Sequence, residues 1–244
     1  MILKEDFKVE LNAIGKENYI KNIAILEMLE NIATHHSDMV GFGPNDIRNV
    51  GYSWILLDWK LNVLKRPKYG EKLNVNTWAK LIDGKTRMTS TYRDFEVYNE
   101  QGQLSAIGTS KWVLVNIETG RIAKIEEELI GKYNPEYKSV FDIEELGKIK
   151  VPEEFSNEIQ YKVNRKDIDI NGHMHNLYYL DLAYEALPEE IYNKRPFDNV
   201  RIQYKNEIKY GDIVKCKYTF EENNHIITIC SEDETKIHAI IILK

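Results

Sequence analysis

Two short tracts occur twice in this chain, in the same order. Lys68-Tyr69-Gly70-Glu71-Lys72-Leu73-Asn74-Val75 resembles Lys209-Tyr210-Gly211-Asp212-Ile213-Val214-Lys215-Cys216, and Asn22-Ile23-Ala24-Ile25-Leu26-Glu27 resembles Asn176-Leu177-Tyr178-Tyr179-Leu180-Asp181. The offsets are 141 (209 − 68) and 154 (176 − 22). Each match alone is weak, but their shared order points to two related halves. The difference of 13 between the offsets fits a longer helix-to-strand connection in the first half. Locally, a tyrosine, a glycine and an acid between strands also read as a turn. A length of 244 residues accommodates two domains of about 120.

The period of the apolar residues sets what each half contains. Ile20, Ile23, Ala24, Leu26, Leu29, Ile32 and Ala33 recur at three- and four-residue spacings, which predicts a helix over 19–39, ended by Gly41-Phe42-Gly43-Pro44-Asn45. A second helix is expected from Met174 to about Ala186, before Pro188. Most of the remainder alternates apolar with polar and is rich in β-branched and aromatic residues: 54–64, 72–82, 87–98, 104–117, 199–208, 213–221, 226–230 and 236–243. Asn99-Glu100-Gln101-Gly102 and Glu221-Glu222-Asn223-Asn224 suit hairpin connections. Long antiparallel strands with one long helix per half define an α+β fold, each half a long helix wrapped by an antiparallel sheet. The stretch 131–155 carries Pro135 and Pro152 and no clear period, and reads as the linker. The expected division is 1–135, a linker over 136–155, and 156–244.

Several function classes are disfavoured. A net charge of −6 opposes generic nucleic-acid binding, which needs a positive footprint. The longest apolar run is about five residues, far short of the ~20 that cross a bilayer. The opening Met1-Ile2-Leu3-Lys4-Glu5-Asp6 has no basic-then-apolar signal pattern, so the chain is expected in the cytoplasm. Cys216 and Cys230 lie in alternating apolar stretches and read as reduced core thiols. No Cys/His group has zinc-ligand spacing, His35-His36 and His225 included, so no metal and no cofactor is expected.

The densest polar cluster is Asn164-Arg165-Lys166-Asp167-Ile168-Asp169-Ile170-Asn171-Gly172-His173-Met174-His175-Asn176, leading into the second helix. Asp169, Asn171 and His173 alternate, so an extended backbone would point all three to one side. Gly172 allows a tight turn. A helix starting just afterwards offers free N–H groups that suit a developing oxyanion. The competing reading is plainer: Asp and Asn before a helix are usually caps, and a histidine there is often only a hydrogen-bonding residue.

Asp167-Ile168-Asp169-Ile170-Asn171-Gly172-His173-Met174-His175-Asn176 resembles the Asp-Leu-Asp-x-Asn-x-His-Val-Asn-Asn signature of acyl-acyl-carrier-protein thioesterases, a family of two tandem hotdog domains. The resemblance spans nearly the whole chain. In the first half Gly41-Phe42, Trp54, Arg66-Pro67, Tyr69-Gly70, Val75-Asn76-Thr77-Trp78, Gly84-Lys85, Thr109-Ser110-Lys111-Trp112-Val113 and Arg121-Ile122-Ala123-Lys124-Ile125 follow the family's landmarks in order. It implies a double hotdog and a catalytic set of Asp169, Asn171 and His173 with Glu207 on a later strand. Where the plant members often carry a cysteine after that glutamate, this chain has Ile208, which removes a cysteine nucleophile there. His175 replaces the family's usual Asn, which puts a capping role for that side chain in doubt.

At the offsets found above, the first half has Gly15, Glu17, Tyr19 and Arg66 in place of Asp169, Asn171, His173 and Glu207, so chemistry is expected only in the second half. The resemblance implies hydrolysis of a fatty acyl thioester on acyl carrier protein, ending fatty acid synthesis, with Glu207 as general base or as nucleophile. Ile23, Leu26, Trp54 and Trp78 are candidate walls for the acyl tail. Each is equally an ordinary core residue. Arg165 and Lys166, with Lys194-Arg195, are candidate contacts for an acidic carrier or its phosphopantetheine phosphate. An acyl-coenzyme A thioesterase and a non-catalytic acyl-binding hotdog protein are the alternatives. A monomer or homodimer is expected.

Overall fold

The computed structural model describes residues 1–81, 89–143, 145–194 and 196–244. The Gly84-Lys85 landmark, Ile82, Arg87 and Arg195 lie outside the described residues. The chain forms two compact units, Met1–Leu146 and Gly147–Lys244.

The first unit contains β1 (Leu3–Lys8), α1 (Asn22–Met39), α2 (Ile47–Val50), β2 (Tyr52–Val63), β3 (Lys72–Lys80), β4 (Thr91–Asn99), β5 (Leu104–Asn116), β6 (Ile122–Ala123) and α3 (Glu127–Lys132). Its antiparallel sheet runs β1-β3-β4-β5-β2, with β6 on β5. The apolar stripe of α1 is buried, and Leu26, Leu29 and Ile32 have no exposed surface. Each such side chain removed from water contributes about 1.5–3 kcal/mol. Helix α1 packs closely over Gly108 of β5, where a Cβ would lie 2.9 Å from Leu29 Cδ1.

The second unit contains β7 (Asn157–Lys162), α4 (Tyr178–Glu185), α5 (Glu189–Tyr192), β8 (Asn199–Tyr204), β9 (Ile213–Glu221), β10 (Asn224–Ser231) and β11 (Ile237–Leu243). Its antiparallel sheet runs β7-β9-β10-β11-β8. Leaving β6 aside, that is the strand order of the first unit repeated. The two offsets read from the sequence recur in the structure. An offset of 154 carries β1 (3–8) onto β7 (157–162) and the 3-10 turn Leu11–Ala13 onto Arg165–Asp167. An offset of 141 carries β3 (72–80) onto β9 (213–221). Isolated bridges repeat in the same register, Ile14–Ile20 as Ile168–Met174 and Tyr19–Lys68 as His173–Lys209.

Some elements differ from expectation. The edge strands β1 and β7 were not anticipated; each alternates inward and outward residues, but its outward set is charged or amide. The stretch expected to begin the linker is partly fixed. Glu136 bridges Lys80, the Trp78 indole N–H donates to Lys138 O (2.9 Å), and the Val140 N–H donates to Asp94 (3.0 Å), so residues through Leu146 belong to the first unit. The strand expected over 199–208 stops at Tyr204, because the Lys205 and Asn206 N–H groups both turn to His238 O (2.8 and 3.3 Å). Cys216 and Cys230 are unpaired and buried, and burial pushes the Cys216 thiol up to about 12.

Candidate active site

The segment from Asp169 to His173 is a closed turn. The Asp169 carboxylate accepts the N–H of Asn171 (2.8 Å) and of His173 (3.2 Å), while the Asp169 N–H donates to His173 O (2.8 Å). Gly172 sits at φ +79°, where a side chain would be strained. The expectation of an extended segment with three side chains on one side is therefore corrected. Asp169 closes the turn and aims Asn171 and His173 outward. The Asn171 amide also donates to Asp169 Oδ2 at 3.4 Å.

Glu207 arrives from the connection after β8. The His173–Lys209 bridge and the Met174 N–H to Ile208 O bond (2.8 Å) clip that connection to the turn. The clip places Glu207 Oε2 3.1 Å from His173 Nε2. A carboxylate can only accept, so the proton between them belongs to Nε2. The other carboxylate oxygen lies 3.3 Å from Lys209 Nζ. The Glu207 side chain is 54% exposed and that of His173 32%, so water and a substrate can reach the pair. Of the four expected catalytic residues, the fold joins His173 to Glu207 directly and Asn171 to Asp169 directly, and the turn links the two pairs.

Two expectations about the helix entrance are corrected. The helix begins at Tyr178, not Met174. Most N–H groups at this entrance are already engaged: Gly172 with Asp169 O, Met174 with Ile208 O and His175 with Asp167 O ahead of the helix, and Tyr178 with His175 O and Tyr179 with Asn176 O in its first turn. These groups are not free to hold an oxyanion. The His175 imidazole accepts the Leu177 N–H at 3.3 Å just ahead of the helix, whose N-cap residue Leu177 has no side-chain capping bond.

The expected binding residues fall in different places. Leu26 and Trp78 are fully buried and Ile23 nearly so, all within the core of the first unit. Trp54 is half-buried and donates its indole N–H to the Tyr133 hydroxyl (3.0 Å). Arg165 is exposed and lies over the Tyr210 ring (5.6 Å), and Lys166 pairs with Asp167 (3.2 Å). Lys209, beside Glu207 in the structure, was not among the expected site residues. Among the described residues no group of three or more His, Cys, Asp or Glu is placed to hold a metal ion, and no helix is long and apolar enough to cross a membrane.

In the first unit the equivalent frame carries other side chains. Arg66, at the Glu207 position, donates to Ile20 O (2.9 Å) and Asn22 Oδ1 (2.8 Å). Lys68 sits over the Tyr19 ring (4.8 Å), where the second unit has Lys209 and His173. That arrangement is a structural tie with no acid–imidazole pair.

A repeated helix-on-sheet unit, with the His173–Glu207 pair at this corner of its second copy, defines a tandem hotdog protein. Superposition on solved structures agrees: an acyl-ACP thioesterase from Bacteroides thetaiotaomicron has a TM-score of 0.87 at 22% identity, covering 99% of this chain and 96% of that one. The 12:0-ACP thioesterase from Umbellularia californica has a TM-score of 0.84 at 18% identity, covering 100% and 96%. The acyl-ACP thioesterase N-terminal domain pattern matches residues 1–133 and the C-terminal domain pattern residues 150–242, so the chain belongs to the acyl-ACP thioesterase family. It is 25% identical over 241 residues to oleoyl-acyl carrier protein thioesterase 2 of Arabidopsis thaliana, covering 92% of this chain and 65% of the relative. It is 23% identical over 228 residues to a dodecanoyl-[acyl-carrier-protein] hydrolase of Cinnamomum camphora, covering 88% and 58%. The chain thus spans less than two thirds of the length of these curated relatives.

Proposed function

We propose that this protein hydrolyses fatty acyl thioesters of acyl carrier protein, releasing free fatty acid and the carrier thiol and so ending fatty acid synthesis. The observation that carries the reading is the 3.1 Å contact between His173 Nε2 and Glu207, two residues 34 positions apart brought together on an exposed surface of a family member. Glu207 takes a proton from water, and the oxygen of that water attacks the thioester carbonyl. The tetrahedral intermediate collapses with cleavage of the C–S bond, and the departing thiolate takes a proton by way of His173. Asn171 orients the carbonyl or the water through its amide, and Asp169 keeps the turn closed. Ile208 is apolar and buried, which agrees with activated water in place of a thiol nucleophile.

Arg165 and Lys166 are the proposed contacts for the acidic carrier, and Ile23, Leu26, Trp54 and Trp78 the proposed determinants for the tail. A cytoplasmic location and a monomer or homodimer belong to the same reading. The test offers one acyl group on carrier protein and on coenzyme A in parallel. The expected result is faster turnover on the carrier, and equal or faster turnover on coenzyme A assigns the other thioesterase activity. Glu207→Gln and His173→Ala are each expected to lower kcat by about 10²-fold or more. Near wild-type turnover in both sinks the assignment.

A further inference from the structure

The structure assigns Asp167 as a positioning residue for the hydrolysis proposed above: its buried carboxylate ties the base of the hairpin that presents Asn171 and His173 to the edge strand β7. The inference rests on that functional reading, and its test separates the two.

The turn from Asp169 to His173 is the tip of a short hairpin. The Asp169 N–H donates to His173 O and the His175 N–H to Asp167 O, both at 2.8 Å, and Ile168 bridges Met174 between them. Asn171 and His173 therefore lie at and beside the tip, and Asp167 at the base. Asp167 is only 3% exposed. Its Oδ2 accepts the Tyr161 hydroxyl of β7 at 2.7 Å and the Asn164 N–H at 2.8 Å, and its Oδ1 lies 3.2 Å from Lys166 Nζ. The Asn164 amide braces this cluster by donating to the Tyr161 oxygen (3.1 Å) and to Lys162 O (2.8 Å). Hydrogen bonds to an ionised acceptor are roughly twice as strong as neutral ones, and burial keeps water from competing for them. One arm of the hairpin is thus fastened to β7 through Asp167. The other is fastened to the Glu207 connection through the Met174 N–H and Ile208 O. Held on both arms, the hairpin has one direction in which to aim Asn171 and His173.

The internal repeat shows that the fold does not need this tie. The first unit builds the same hairpin from backbone bonds: the Gly15 N–H donates to Tyr19 O at 2.8 Å, the Lys21 N–H to Ala13 O at 2.9 Å, and Ile14 bridges Ile20. The clip on the other arm recurs as the Ile20 N–H to Pro67 O bond, at 2.9 Å. At the offset of 154, Tyr161, Asn164 and Asp167 are replaced by Phe7, Glu10 and Ala13. Phe7 has no hydroxyl and Ala13 no carboxylate, so donor and acceptor are missing together. They are missing in the copy whose hairpin carries Glu17 and Tyr19 in place of Asn171 and His173. The tie accompanies the side chains that have to be aimed.

Asp167→Ala and Tyr161→Phe each copy the first unit, whose hairpin closes with those residues. The expected kcat is lower by about tenfold or more in Asp167→Ala and by about threefold or more in Tyr161→Phe, with KM within about twofold in both. The two losses do not multiply in the double variant, because each breaks the same tie. Deuterium exchange read by NMR reports the hairpin directly. In Asp167→Ala the Asp169 and His175 amides exchange about tenfold faster or more, while the Lys21 amide of the first unit and the central amides of β10 keep their rates. An Asp167→Ala kcat within twofold of wild type, unchanged hairpin amides, or fully multiplicative losses overturn the assignment. So do β10 amides that accelerate as much as the hairpin, which make Asp167 a general support of the second unit. Should wild-type protein release no acid from any acyl thioester offered, the hydrolysis reading fails on its own. The hairpin amides in Asp167→Ala then still decide the tie: acceleration confined to the hairpin supports it, and unchanged rates overturn it.

Discussion

At Gly172 the chain adopts φ +79°, and a Cβ built there meets no atom within 4 Å. Any cost of substitution is therefore backbone strain, not collision. The first unit solves the same corner with Asn18 at φ 61°, a residue whose short polar side chain tolerates the left-handed region. Gly172→Ala is expected to destabilise by about 1–2 kcal/mol, and Gly172→Asn by clearly less. Thermal or urea denaturation of both variants checks the order, and equal losses contradict it. This corner also shows how local the legible part of the site was. Asp169, Asn171, Gly172 and His173 lie within five residues, so their pattern could be read directly, although as an extended segment instead of a turn. Glu207 came only through the family resemblance.

Among the elements, α1 carries a buried polar group that no sequence pattern announced. His36 has no exposed surface, and its Nδ1 accepts the Arg93 guanidinium of β4 at 2.8 Å. Arg93 also lies over the Tyr133 ring (5.4 Å), and the Tyr133 hydroxyl donates to Ser37 (3.1 Å) while receiving the Trp54 indole N–H. Burial first, then the charges of Arg93 and the N-terminal amine, hold His36 down at about 3. Because the fold refuses this proton and the unfolded chain accepts it below about 6.5, the neutral imidazole stabilises above that pH. The stability is lost as pH falls from about 6.5 toward 3, at about 1.4 kcal/mol per unit. At pH 5 the loss is about 2 kcal/mol relative to pH 7.5. His36→Gln keeps an acceptor for Arg93 but does not titrate, so urea unfolding should lose about 2 kcal/mol less between those two pH values. Equal losses in variant and wild type remove His36 as the cause. The helix itself was legible because a 3.6-residue stripe survives in 18 residues. The eight-residue α4 was placed four residues too early, since its entrance is bound up in the turn and the Ile208 clip.

For the whole molecule, the two offsets carry the meaning. A second unit that repeats the strand order, the bridges and the positive-φ corner of the first shows that the frame does not depend on the four side chains proposed for the chemistry. Four side chains then distinguish the two copies at this corner. In the first unit Gly15, Glu17, Tyr19 and Arg66 stand where Asp169, Asn171, His173 and Glu207 stand in the second. Arg66 has become a tie between the turn and the start of α1, through Ile20 O and Asn22. Two consequences follow for one chain. A non-hydrolysable acyl thioester analogue should bind with a stoichiometry of one, not two, by calorimetry. Arg66→Ala should leave kcat within about twofold but lower unfolding stability by about 1–3 kcal/mol, because the buried Ile20 carbonyl and Asn22 amide lose a charged donor. The reverse pattern, full stability with kcat reduced by about tenfold or more, places Arg66 in the chemistry and breaks the one-site account. Glu207→Gln, run beside it, should show the opposite signature: its carboxylate is half exposed and supports little of the fold, so activity falls while the unfolding curve scarcely moves.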